Sequence, residues 1–253
     1  MVGCPGSIVL RGATGALTHP GTLPGSAPSR RPRRSGRRAC HDGPVTKSAR
    51  RYGGRAAGER VAERRERLLE AGLEVMGTRG VAGATVRGVA EESGLAARYF
   101  YESFPSIEAL QLAVFEQIAG EAAVRSVGAL ATAPDDAAAR TRAVLAEMVD
   151  LFLEDPRKGR IALLESITSP VLGPRVLEES RRFAGMLAAT SSSGDPAQPA
   201  EGLPVEVRLR AQFLIGGVAH TLGAALQGDL EVERDRLVDV LVELFLSAAA
   251  VGP

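Results

Sequence analysis

The chain has no tryptophan, two cysteines and three histidines in 253 residues. Cys4 and Cys40 are too few for a disulfide framework, and a reducing cytoplasm is their simplest setting. No apolar run reaches the roughly 18–20 residues that a bilayer span needs. Near the start, Ser7-Ile8-Val9-Leu10 is cut by Arg11, short of the roughly 7–15 apolar residues of an export signal. The chain therefore reads as soluble and not exported. Beyond the N-terminal 60 residues the one histidine is His220 and there is no cysteine. The lack of cysteine excludes a Cys/His set there, and no Ser/His/Asp set is recognised around His220. No Gly-rich loop between strand and helix offers a nucleotide site. Cys4, His19, Cys40 and His41 have no regular metal-ligand spacing. The reading is not an enzyme, with no metal and no cofactor.

Charge is plentiful but uneven. Residues 1–60 hold twelve basic residues against Asp42 and Glu59, so they carry +10, and residues 61–253 carry −9 within a net charge of +1. A basic arm on an acidic body suits contact with nucleic acid at one end. Residues 1–55, rich in Gly, Pro, Ser and Arg, show no helical period and read as disordered. Val45 is a candidate for the true translation start, because valine codons such as GTG can initiate in bacteria. Arg50, Arg51 and Arg55, with Arg60, Arg64 and Arg65, either follow the DNA groove and phosphates or form a solvated tail.

From about Arg60 the pattern turns helical, and no strand is expected. Helix 1 runs to about Thr78 and ends at Arg79-Gly80. In TVRGVAEESGLAARYFYESF, Thr85–Phe104, Thr85 caps a short helix and Gly94 supplies a turn. A second helix from about Ala96 then sets Phe100 and Phe104 on one face and Arg98, Tyr99 and Tyr101 on another. Two helices joined by a short Gly-containing turn form a helix-turn-helix, whose second helix enters the DNA major groove. Pro105 stops it, and Ser106 caps a fourth helix that runs to about Gly128. Further helices are expected over about Asp135–Leu153, Arg157–Ile167, Pro174–Ala189, Val205–Gln227 and Glu231–Val251. Ser191–Leu203 reads as a loop or a disordered insert.

Arg98 either reads the N7 and O6 edge of guanine or touches a phosphate. Tyr99 either meets a thymine methyl or phosphate or packs on its neighbour. Thr85 and Arg87 anchor the DNA backbone, although Arg87 can equally pair with Glu91. Ala96 and Ala97 are small enough for close approach to the groove, and equally are plain helix formers. Val86, Val89, Leu95, Phe100 and Phe104 read as core.

The segment Arg64–Ile118 resembles the N-terminal domain of the tetracycline-repressor (TetR) family. The marks are a basic start to helix 1, Arg79-Gly80, Thr85-Val86-Arg87, Val89-Ala90, Gly94-Leu95, Tyr101, Phe104-Pro105-Ser106 and Glu108-Ala109-Leu110. The resemblance covers about the first third of the folded part. It implies a homodimer on a near-palindromic operator in double-stranded DNA, with half-sites roughly 34–36 Å apart or a multiple of that. It implies a small-molecule effector that in most members lifts repression, and a phosphate contact for Tyr101. The protein would then work in the cytoplasm on the nucleoid. Ala96, Ala97-Arg98-Tyr99 and Ile107 depart from the family's usual Ser/Thr, Lys-Gly-Thr and Lys, so the base-reading set does not transfer from other members.

The fold class is all-α. The expected domains are 1–55 (disordered), 56–107 (DNA-binding) and 108–253 (effector-binding and dimerisation). Pocket candidates are Leu151, Phe152, Leu163, Leu164, Ile167, Phe183 and His220, which suit an apolar effector, although core packing explains the apolar ones and burial with a partner explains the histidine. The helix from Val205 is apolar nearly all round, so it is buried on more than one side. The resemblance suggests a four-helix dimer interface using Phe213, Gly216, Gly217 and Leu222 with Leu237, Leu241, Leu244 and Phe245. An ordinary intrachain core is the competing reading. The alternative function is an all-helical ligand-binding or interaction protein without specific DNA binding. Non-specific nucleic-acid binding through residues 30–55 is a third.

Overall fold

Short local signals set the helix ends. In the computed structural model, which describes residues 53–193 and 199–250, α1 spans Gly53–Arg79. It begins earlier than the expected Arg60, carried back by the good helix formers around Ala56 and Ala57. The side chains of residues 53–57, 192, 193, 200, 249 and 250 are outside the description, as are residues 1–52. The expectations for the disordered arm, the start at Val45, Arg50, Arg51, Arg55 and the Cys/His set therefore fall outside the described residues.

Gly80 ends α1 with φ 86°, a left-handed backbone that side chains other than glycine adopt only at a cost. Helix α2 is Val86–Ser93, and the Thr85 hydroxyl accepts from Gly88 N at 3.1 Å. Gly94, φ 66°, closes it, and Leu95 N donates to Ala90 O, as in a Schellman ending. Helix α3 is Ala97–Ser103 and α4 is Ile107–Thr132, whose cap Ser106 accepts from Ala109 N. Helix α5 is Ala137–Glu154, capped by Asp136. Asp155 caps α6, Pro156–Gly159, which passes directly into a π-helical segment, Arg160–Glu165.

Helix α7 is Gly173–Ser193, four residues longer than its expected end at Ala189. Thr190 and Ser191 sit inside it because each hydroxyl donates to the carbonyl four residues back, so the loop-like composition is absorbed. The chain continues through a short 3-10 turn, Ala200–Gly202, to α8, Val205–Gln227, and α9, Arg234–Ala250. No strand occurs among the described residues, and none of their helices is long and apolar enough to cross a membrane.

Helices α1–α3 close around Leu68, Val75, Met76, Val89, Phe100 and Phe104. A Cβ added at Gly72 would lie 3.0 Å from Val114 and 3.1 Å from Leu110, so glycine lets α1 and α4 approach closely. Farther along, α4 packs on α5, α5 on α9 and α7 on α8. One apolar core is continuous from Leu68 to Leu241. A separate small cluster, Ala184, Ala188 and Ala211, joins α7 to α8.

Candidate nucleic-acid interface and ligand cavity

The helix-turn-helix presents one exposed surface. Phe100 and Phe104 are buried and pin α3, while Thr85, Arg87, Ala96, Ala97, Arg98 and Tyr101 are exposed. Tyr101 is 61% exposed with its ring edge on Phe100, 5.6 Å between centroids. A shallow depression between α2 and α3 is bounded by Arg87, Glu91, Ala96, Ala97 and Tyr101. Ala96 makes no side-chain cap, as expected from its chemistry.

The cations on this face have partners. Arg98 donates to the Tyr99 hydroxyl at 2.7 Å and lies over its ring at 4.6 Å. That hydrogen bond raises the Arg98 pKa above its ordinary value. Arg64 from α1 lies 4.8 Å from the same ring. Tyr99 is thus half-buried and braced by two guanidiniums. Arg65 covers Phe104 at 4.3 Å and donates to Ser103 O, while Arg67 donates to Ser93 O at 2.7 Å. These α1 arginines brace the helix-turn-helix. Arg87 donates to Glu91 at 2.7 Å, and the Glu91 carboxylate raises its pKa too. Both side chains are exposed, so the pair is weak and exchangeable.

A second site lies in the helical body. A cavity of about 250 Å³ is bordered by α4, α5, α7, α8 and α9 with the π-helical segment. Of the seven pocket candidates, Phe152, Leu163 and Phe183 border it. The other four candidates do not. Leu151 is fully buried in the core, and Leu164 instead packs against Gly223. Ile167 is 67% exposed and His220 is exposed on α8. Sequence reasoning missed Arg140, Met148, Met186 and Ile215 in the lining, since nothing in a one-dimensional pattern tells which apolar face borders a void.

The expected interface residues also divide. Leu222, Leu237 and Leu241 are buried in the chain's own core, and Phe245 is half-buried against that core and borders the cavity. One face of each helix is thus covered within the chain. Phe213, Gly216, Gly217 and Leu244 remain exposed.

Helices α1–α3 and the body meet at the end of α1. Glu165 accepts from Val81 N at 2.6 Å and from Arg160 Nε at 2.8 Å. Arg160 donates to the Gly77 and Thr78 carbonyls, the open end of α1. Arg157 reaches Glu70 and Glu74 of α1 while paired with Asp155. Gly77 and Gly80 are needed here: an added Cβ would lie 2.4 Å from Arg157 Cβ and 2.7 Å from a Glu165 oxygen, respectively. Gln111, a buried polar residue, donates to Val81 O. None of these ties was anticipated from sequence. Gln111 did leave a signal, a polar residue on the apolar stripe of α4 with Val114, Phe115 and Ile118.

Residues 68–114 match the family of bacterial regulatory proteins described as the tetR family. No curated protein matches the sequence. Among solved structures, the chain is similar to the fatty acid degradation regulator FadR from Bacillus halodurans, with TM-score 0.61 and 18% identity, over 72% of this chain and 94% of that one. It is similar to FadR from Bacillus subtilis, solved in complex with stearoyl-CoA, with TM-score 0.60 and 21% identity, over 72% and 98%. A tetR-family transcriptional regulator from Streptomyces coelicolor gives TM-score 0.59 and 19% identity, over 75% and 82%. At these identities the likeness is one of fold.

Proposed function

We propose that this chain is a DNA-binding transcriptional regulator of the TetR family, a repressor released from a near-palindromic operator by a small apolar effector; the family match over residues 68–114 supports this reading. Residues 56–107 act as the DNA-binding head, and residues 108–253 bind the effector and dimerise, in the cytoplasm on the nucleoid. The observation that carries the reading is the exposed face of α3, fixed from behind by buried Phe100 and Phe104. In it Arg98 exchanges Tyr99 for the N7 and O6 edge of a guanine. Ala96 and Ala97 allow close approach, and Thr85, Arg87, Tyr99 and Tyr101 hold phosphates or sugars.

Two subunits pair through the outer faces of α8 and α9. Leu209, Phe213, Gly216 and His220 recur at helical spacing on exposed α8, beside exposed Leu244 of α9. A Cβ at Gly216 or Gly217 would meet nothing within 4 Å, so this chain's own packing gives no reason for glycine there. Close approach of a second copy does.

The cavity supports an apolar effector, and the stearoyl-CoA held by the Bacillus subtilis protein points the same way. Leu163 borders the cavity from the segment that carries Arg160 and Glu165. An occupant that displaces Leu163 therefore shifts two groups bonded to the end of α1 and to Val81. That links occupancy to the pose of the head.

The test is selection of bound sequences from random duplex DNA at moderate salt. Recovery of one near-palindrome is the expected result. A folded dimer that recovers no motif would overturn the reading in favour of a ligand-binding protein without specific DNA binding.

A further inference from the structure

The cavity's walls are almost wholly apolar, and Arg140 borders it toward one end. Helices α4 and α5 run along it in opposite directions. They put Leu130, Arg140 and Thr141 at one end and Ala122 and Phe152 at the other. Arg140 is the one charged side chain among its lining residues. Deeper polar groups are spoken for, since Ser126 donates to Ala122 O and Thr190 donates to Met186 O. A ligand acceptor placed there would go without a donor and bear its full desolvation cost. The occupant must therefore be apolar along its length and polar at one end only.

The charge of that end follows from Arg140. Its guanidinium is held by Asp135 at 3.1 Å, and the Asp135 side chain is 92% exposed. A pair so open to water is weak, so a ligand anion can replace Asp135 at the same nitrogen. Size follows from the void. The stretch of α5 from Arg140 to Phe152 is about 18 Å long at the α-helical rise, which suits a chain rather than a ring system. An apolar cavity of about 150 Å³ holds one benzene ring. The 250 Å³ here therefore admits about ten non-hydrogen atoms.

We propose that the effector is a medium-chain monocarboxylic acid, with its alkyl tail in this cavity and its carboxylate paired to Arg140. The proposal rests on the reading of the cavity as the effector site. A carboxylate borne directly on the chain meets Arg140 at the cavity's end, whereas an acyl thioester of coenzyme A carries its first charge many atoms farther away.

The experiment is isothermal titration calorimetry of the full chain with sodium decanoate, 1-decanol, decanoyl-CoA and sodium stearate. The expected result is decanoate binding at least tenfold tighter than 1-decanol and tighter than decanoyl-CoA or stearate. The preference for acid over alcohol is expected to vanish in Arg140→Met and to return in part in Arg140→Lys. Arg140 is half-exposed at the helix surface, and circular dichroism verifies that both variants remain folded. Equal binding of acid and alcohol, abolished by filling the cavity with Ala219→Phe, would overturn the carboxylate while leaving the cavity as the effector site. Tighter binding of decanoyl-CoA would overturn it in favour of a thioester. Absence of heat with all four ligands would overturn the carboxylate and the apolar effector site together.

Discussion

Glu165 accepts a 2.6 Å hydrogen bond from the backbone N–H of Val81, 84 positions away in sequence. That bond ties the π-helical segment beside the cavity to the linker between α1 and α2. Glu165→Ala leaves a partly buried N–H without its acceptor, which costs about 1–3 kcal/mol. The expected outcome is at least tenfold faster hydrogen exchange at the Val81 amide with helicity retained. Unchanged exchange there would mean that the head does not depend on this tie.

On the proposed reading, Glu91 and DNA are rivals for Arg87. The two side chains pair at 2.7 Å on the exposed face of α2. Glu91→Gln frees the guanidinium for a phosphate and removes a nearby negative charge. Operator affinity is expected to rise several-fold at low salt, and the slope of log K against log salt to steepen by about 0.9. Binding isotherms at three salt concentrations measure both, and a fall in affinity would show that Glu91 has a different role.

Acid should loosen the junction of α5 and α6. Hydrogen bonding from Arg157 holds the Asp155 pKa below its ordinary value, against some opposing burial. A carboxyl whose folded pKa is depressed contributes stability above its unfolded pKa, about 4. The contribution is lost as pH falls through the lower folded value. Urea unfolding midpoints of the wild type should therefore drop more steeply below about pH 4 than those of Asp155→Asn. Parallel pH profiles would remove Asp155 from the acid response.

Opposite faces of α8 and α9 should fail differently. Phe213 is 76% exposed and Leu244 56%, while Leu241 is 2% exposed. The double variant Phe213→Glu, Leu244→Glu is expected to sediment as a folded monomer. Leu241→Ala opens a cavity in the chain's own core and is expected to cost about 2–5 kcal/mol. A folded dimer that tolerates both glutamates would place the subunit contact elsewhere.

What the sequence made legible was local. Thr85, Gly94 and Ser106 act within a few residues of their own backbone, so their caps and turn are readable from type and spacing. Phe100 and Phe104 declare a buried face by spacing alone. The body was read less well because α8 is apolar on nearly every side. Periodicity cannot then separate Leu222, which is buried in this chain, from Phe213, which is exposed. His220 drew attention for its rarity, yet it sits on the exposed face rather than in the cavity. Glu165 and Arg160 carry no local signal at all, because their partners, Val81 and the end of α1, are brought close only by the fold.

The most direct test of the account is methylation interference on the selected duplex, comparing wild type with Arg98→Ala. A methyl group on guanine N7 blocks the atom that Arg98 is assigned to read. Methylation of one or more guanines in each half-site is expected to prevent binding by the wild type. The same sites should cease to matter for Arg98→Ala, which binds more weakly by about 1–3 kcal/mol. Wild-type binding indifferent to guanine methylation, or an unchanged interference pattern in Arg98→Ala, would contradict it.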